Sequence, residues 1–183
     1  MKSNFKRLGL AAAVTAVAVG YAGVSNAQVT RSVGNLGDTA IIPYYTVTGN
    51  WVTGVHIINS SEATQVVKLR LRRASDSADA LDFNLILSPK DEWTGFIDDS
   101  SGNIVFATDD SSCTAPIRAD GRFEMPDIYR LGAEEGYIEV IGMGQPVNEL
   151  QPIAIAAKHT SAGVPLDCAG VASNFFANGS LPG

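Results

Sequence analysis

The chain has 183 residues, with 13 lysines and arginines against 19 aspartates and glutamates, a net charge of −6 and two cysteines. An acidic balance of this kind disfavours nucleic acid and anionic membranes as partners, because binding their phosphates needs clustered cations, and no nucleic-acid partner is expected. The length is enough to bury one hydrophobic core without help from metals or many disulfides.

The first residues carry an export signature. Lys2, Lys6 and Arg7 form a basic start, Leu8 to Val19 is a run of small apolar residues, and Ser25-Asn26-Ala27 places small residues at −3 and −1 of a cleavage site. The pattern predicts a cleavable signal over 1–27 and a mature protein beginning at Gln28. The alternative is an uncleaved anchor, but the apolar run falls short of the roughly 20 residues that cross a bilayer. No cysteine follows it to accept a lipid, and no membrane-spanning segment is expected after cleavage. Loss of the leader leaves 156 residues, about one domain, and deepens the charge to −9. The expected location is periplasmic, cell-surface or extracellular. In such an oxidising compartment Cys113 and Cys168 are expected to form one disulfide. Two free thiols or a shared metal site are the alternatives, and neither has supporting ligands nearby.

In chain order, Ala40–Val47 is rich in β-branched and aromatic residues and is broken by Gly49-Asn50. Trp51–Ile58 follows and is expected to be its hairpin partner across that turn. Val67-Lys68-Leu69-Arg70-Leu71-Arg72 alternates strictly, and Leu81-Asp82-Phe83-Asn84-Leu85-Ile86-Leu87 is apolar at every odd position. Each therefore reads as a strand with one face buried. Glu92–Ile97 and Asn103–Thr108 flank the turn cluster Asp98-Asp99-Ser100-Ser101-Gly102. Ile117–Ala133 has no period and reads as a long loop or a short helix. Gly136–Ile141 is a further short strand, and Leu150–His159 fits a strand or a helix. The sum is an all-β, mainly antiparallel chain. It is a β-sandwich, immunoglobulin-like in general architecture, with a short helix or irregular segment near the C-terminus. One domain is expected over 28–174. The polar tail 175–183 reads as a truncation point, or as an end that needs a partner strand, because little chain follows Phe175-Phe176 to cover them.

Several of these segments carry a family resemblance. Ile42-Pro43-Tyr44-Tyr45-Thr46, Trp51 and Ile57-Ile58-Asn59-Ser60-Ser61 are similar to the opening of a family of secreted bacterial proteins of cell-surface type, and the agreement continues through Val67–Arg73 and Asn84-Leu85-Ile86-Leu87-Ser88-Pro89. Trp93-Thr94-Gly95, Ser112-Cys113 and Gly163-Val164-Pro165-Leu166-Asp167-Cys168 continue the likeness, which covers most of residues 38–168. The family pattern runs FPYYT…W…INSS…LSP…WTG…SC…GVPLDC. The resemblance implies an exported protein and is in keeping with a Cys113–Cys168 pair. It also implies longer relatives, but no reaction.

No motif for catalysis is legible. The two histidines, His56 and His159, are the natural acid–base candidates. There is no Gly-x-Ser-x-Gly elbow and no His-Glu-x-x-His, so a triad would need a distant serine and an acid to converge on one of them. Asp98-Asp99, Asp109-Asp110 and the Asp76, Asp79, Asp82 series place oxygen ligands near loops, where calcium is the one cofactor to consider. Their spacing fits no EF-hand, and acids in turns mostly shape the turn. Lys68, Arg70, Arg72 and Arg73 concentrate positive charge on one strand face, which suggests either a patch for an acidic polysaccharide or partner, or a face neutralised by Asp76, Asp79 and Asp82. Tyr44, Tyr45, Trp51 and Trp93 are candidates for a sugar-stacking platform, although adjacency puts Tyr44 and Tyr45 on opposite faces. The expected function is a non-catalytic envelope or extracellular protein with a structural or assembly role, partnered by itself or by other envelope proteins. The alternatives are a carbohydrate-binding module and, less favoured, a secreted hydrolase. Three exposed coplanar rings would mark the former, and a histidine in a cleft beside a serine or carboxylate the latter.

Overall fold

The computed structural model describes residues 38–176, so the signal expected over 1–27, the start at Gln28 and most of the tail lie outside the described residues. Nine strands form two antiparallel sheets. The first has the order β1 (Thr39–Thr46), β9 (Glu135–Gly144), β3 (Gln65–Arg73), β4 (Asp79–Leu87), β7 (Cys113–Ala115). The second has the order β2 (Thr53–Ile58), β5 (Glu92–Asp98), β6 (Val105–Ala107), β8 (Arg122–Glu124). Among the described residues three short α-helices, α1 (Asp127–Arg130), α2 (Pro152–Ala157) and α3 (Cys168–Phe175), and one 3-10 turn (Thr48–Asn50) accompany the strands. The all-β sandwich expected from the alternating segments is the fold found.

Alternation accounts for the core between the sheets. Leu69 and Leu71 of β3, with Phe83, Leu85 and Leu87 of β4, point inward at odd positions and meet Val55, Trp93, Ile97, Phe106 and Phe123 of the second sheet. Phe83 sits at its centre, stacked on Phe123 at 4.0 Å between ring centroids and edge-on to Phe106 at 5.3 Å. Gly136 is required where β9 approaches β3: a Cβ there would collide with the Arg72 carbonyl oxygen and crowd the Tyr45 ring.

The first sheet is also covered on part of its outer face. Val66 and Ile86 occupy even positions on β3 and β4, and they pack with Cys113, Ala115, Ala157, Val171 and Phe176 into a second apolar cluster. Here α2 and α3 lie against the sheet, and the Cys113–Cys168 disulfide joins β7 to the first residue of α3. Asp167 caps α3 by accepting a hydrogen bond from the Gly170 N–H. Phe176 is buried in this cluster, contrary to the expectation that it stands uncovered, so the folded unit runs past residue 174.

Two further expectations change. Ala40–Val47 and Trp51–Ile58 do not pair as a hairpin: β1 pairs with β9, and β2 pairs with β5 in the other sheet. The tight turn is there, with Gly49 and Asn50 both left-handed at φ 67° and 64°, but the strands beyond it diverge. The Thr53 hydroxyl replaces the missing ladder, accepting from the Thr46 N–H and donating to the Thr46 carbonyl. Ile117–Ala133 holds both the short helix α1 and a strand, β8, that its aperiodic sequence concealed. By contrast, the two segments flanking the Asp98–Gly102 turn are both strands, and β5 pairs with β6 across it, while Leu150–His159, open between strand and helix, contains the helix α2.

Tyr45 makes an alkaline prediction. Its ring is fully buried and its hydroxyl donates to the Ala133 carbonyl at 2.9 Å. Burial first, and the nearby Glu134 carboxylate second, push its pKa from 10.0 up to about 12. A phenol whose folded pKa is raised stabilises the fold fully below its unfolded value and loses that contribution as pH climbs through the folded one. Between pH 10 and about 12 the protein should therefore lose about 3 kcal/mol. Spectrophotometric titration should show one tyrosine ionising late, together with unfolding; Tyr45→Phe should shift the unfolding to higher pH.

Candidate functional site

The most distinctive surface is the side of the sandwich where β1 and β2 end the two sheets. Asp38 accepts a hydrogen bond from the Gly142 N–H, and alternate residues of an antiparallel pair exchange bonds. That alternation turns the backbone groups of Ala40 and Ile42 toward β9 and those of Thr39 and Ile41 outward. The Asn59 N–H donates to the Asp91 carbonyl, which by the same rule turns Gly54, His56 and Ile58 outward on β2. Pro43 falls at an outward position of β1, where its missing N–H breaks no ladder bond. Neither strand contains an Asp, Glu, Lys or Arg, and Ile41, Tyr44, Trp51, Val52 and Ile58 are exposed along this side. At the far side, β7 and β8 have three residues each and offer little edge.

A bulge shapes one end of this side. Ile42 pairs with Ile138 and Tyr45 with Gly136, so β1 carries an extra residue across that interval, and Tyr44 is turned outward. Tyr44, Thr46, Thr48, Trp51 and Glu135 line a cleft of about 420 Å3. The Tyr44 hydroxyl donates to Glu135 Oε1 at 3.0 Å. The four-ring platform is thereby corrected: Tyr45 and Trp93 are fully buried in the core, leaving Tyr44 and Trp51 at the surface. Trp93 faces inward because it lies opposite Ile57 on the inner side of β5, while Trp51 precedes β2 at the corner.

The basic strand face is largely neutralised. Lys68 pairs with Asp82 at 2.7 Å, Arg72 with Asp79 at 2.7 Å, and Arg70 with Asp79 at 3.4 Å. Arg72 Nε also donates to Glu139 at 3.0 Å, and that bond is the main reason its guanidinium is held above its ordinary pKa. Lys68, Arg70 and Arg72 thus form a cross-strand network rather than an open patch for acidic ligands. Asp79 and Asp82 were legible as neutralisers, whereas Glu139 was not, because it comes from β9, 67 residues beyond Arg72.

The acidic turns behave as turn formers. Asp98 accepts from the N–H and hydroxyl of Ser100, and Asp110 from those of Ser112. The Asp76 carboxyl is held below its ordinary range, first by the Ala78 N–H and then by Arg73. Among the described residues no three His, Cys, Asp or Glu side chains gather as a calcium site would need.

The histidines part company. His56 is exposed and lies 3.3 Å from Glu92. His159 has Nδ1 3.3 Å from Ser88 Oγ and 3.4 Å from Asp91 Oδ2, and Nε2 3.5 Å from Ser111 Oγ. Convergence of a serine and an acid on one imidazole is what a triad requires, and the sequence did not expose it. The details favour a clasp instead. Ser111 Oγ donates to the Gly163 carbonyl at 3.0 Å, so its proton points away from the imidazole. The next N–H, Ser112, is already donated to Asp110 Oδ1 at 2.8 Å and is not free to hold an oxyanion. The cavity of about 210 Å3 that Ser111 lines does not include His159.

The fold and its surfaces thus define an antiparallel β-sandwich with a helical layer on one face, stapled by a disulfide and open along one side. Compared with family models, with curated proteins and with solved structures, the chain matches none. Among the described residues no helix is long and apolar enough to cross a membrane.

Proposed function

We propose that this chain is an exported, non-catalytic envelope or extracellular protein that assembles with copies of itself through the β1–β2 side of its sandwich. The observation that carries the reading is the absence of any Asp, Glu, Lys or Arg from both long edge strands of an otherwise acidic chain. Proteins that stay monomeric blunt such edges with lysines, charges turned inward or short strands. Here Pro43 and the bulge between Ile42 and Tyr45 protect one end of β1, and they leave the backbone groups of Thr39, Ile41, Gly54, His56 and Ile58 available for strand addition. Export is supported by the leader-like start and by a disulfide, which persists in oxidising compartments. A non-catalytic role is supported by the orientation of the Ser111 proton and the occupied Ser112 N–H. A sugar platform has two of its four rings left, which ranks it second.

The test is expression of the full chain with its own leader in a bacterial host. The purified species should begin at Gln28 by mass spectrometry, and its light-scattering mass should rise with concentration. Ile41→Lys with Ile58→Lys, both at exposed positions, should weaken association at least about ten-fold by placing like charges across the contact. An intact leader on a cytoplasmic product would overturn export. A monomer at every concentration would overturn assembly.

A further inference from the structure

The cleft at the β1–β2 corner has a chemistry that strand addition does not use. Its lining combines two exposed rings, Tyr44 and Trp51, with one carboxylate, Glu135, and the small side chains of Thr46 and Thr48. Among the described residues no lysine, arginine or histidine lies within ion-pair distance of Glu135, whereas Glu139, on the same strand, is engaged by Arg70 and Arg72. Glu135 Oε1 is engaged by the Tyr44 hydroxyl, which leaves Oε2 without a hydrogen-bond partner among the described residues and ties the phenol beside the carboxylate. A volume of about 420 Å3 falls within the usual range for small-ligand sites.

We propose that this cleft binds an organic cation with an apolar skin, a quaternary or methylated ammonium group. Aromatic faces carry negative potential, and two of them beside an unpaired carboxylate attract a charge that has shed its water easily. A bare ammonium ion is too strongly hydrated to gain as much, and an anion is repelled by Glu135. A saccharide would find two rings and a carboxylate, but no Asn, Gln, Arg or Lys on the lining to meet its ring oxygen and hydroxyl acceptors. The inference goes beyond assembly, since the cleft belongs to one chain and needs no second copy.

The probe is choline chloride, titrated into the full-chain protein at constant ionic strength with tryptophan fluorescence as the readout. Trp51 is exposed and Trp93 buried, so the change should disappear in Trp51→Ala while the Trp93 signal remains. The neutral isostere 3,3-dimethylbutan-1-ol, in which carbon replaces the charged nitrogen, should bind at least about five-fold more weakly. Glu135→Gln keeps the size of an exposed side chain and should weaken choline to a similar degree. Equal binding of choline and the isostere would overturn the proposal in favour of a merely apolar groove. Binding of saccharides without choline would overturn it in favour of a sugar site. No saturable change with choline would overturn it outright. Tyr44 and Trp51 lie along the side proposed to assemble. The titration is therefore repeated on the Ile41→Lys/Ile58→Lys variant, where light scattering should report a single chain, so that loss of choline binding and loss of assembly are read separately.

Discussion

Replacing Cys113 and Cys168 together by alanine is expected to lower the unfolding free energy by about 4 kcal/mol. The bridge joins residues 55 apart in sequence, and loop closure of that length in the unfolded chain carries about that entropy. The tied loop contains β8, α1, β9 and α2, so the restraint reaches both sheets. The bond also holds α3 on the outer face, where Val171 and Phe176 are its buried contacts in the second apolar cluster. Urea unfolding with and without reductant measures the effect: reductant should shift the midpoint of the natural protein and leave the double variant unchanged. The aromatic near-ultraviolet signal should survive in native buffer, since Phe83, Trp93, Phe106 and Phe123 belong to the other cluster. A loss below about 1 kcal/mol would show that the unfolded chain is already constrained over this loop.

Phe83→Ala should be as damaging, by about 3–5 kcal/mol. The ring is 1% exposed and packs against three aromatics at once: Phe123 at 4.0 Å, Phe106 at 5.3 Å and Trp93 at 5.9 Å between centroids. Its removal forfeits the buried area and the favourable ring geometry, and it opens a cavity at the centre of the sandwich. A domain of this size has about 5–15 kcal/mol of stability in all, so the variant should stand near the edge of unfolding at room temperature. Urea denaturation gives the number. Phe83→Leu should recover much of it, since Leu refills part of the volume. If both variants cost the same, the ring contacts rather than the volume carry the effect.

The strands that alternate over six or more residues were readable because their pattern is local. Leu69, Leu71, Phe83, Leu85 and Leu87 turn inward where period two places them. Two residues broke that pattern and carried more information than they first suggest. Val66 and Ile86 sit in rows otherwise filled by Lys68, Arg70, Arg72, Asp82 and Asn84, and they mark where α2 and α3 cover the outer face. β7 and β8, at three residues each, are too short to show any period. The β1–β2 hairpin failed for a different reason. Gly49-Asn50 specifies a reversal of the chain, but a reversal does not say whether the strands pair with each other or with β9 and β5.

The candidate site was less legible still. Trp51 and Trp93 are the same residue type in similar strand-rich surroundings, yet one is 70% exposed and the other fully buried. What separates them is position: Trp51 precedes the edge strand β2 at a corner, whereas Trp93 lies on β5, inside the same four-stranded sheet, and faces the core. Glu135, the residue that gives the cleft its charge, drew no notice in the sequence, because its partner Tyr44 is 91 residues away. The clasp at His159 is equally non-local, drawing Ser88, Asp91 and Ser111 from two other loops.

By itself, the sequence determined that the long alternating segments are strands, that two neighbouring tyrosines face opposite ways, and that one pair of cysteines is present to be joined. Those follow from backbone geometry, in which side chains alternate every residue and glycine or asparagine sets the turns. Only the tertiary structure decided which strands are left as edges, which carboxylates neutralise Arg70 and Arg72, and which aromatic rings stay in water. Each of these depends on contacts between residues tens of positions apart, and no local period encodes who the partner will be.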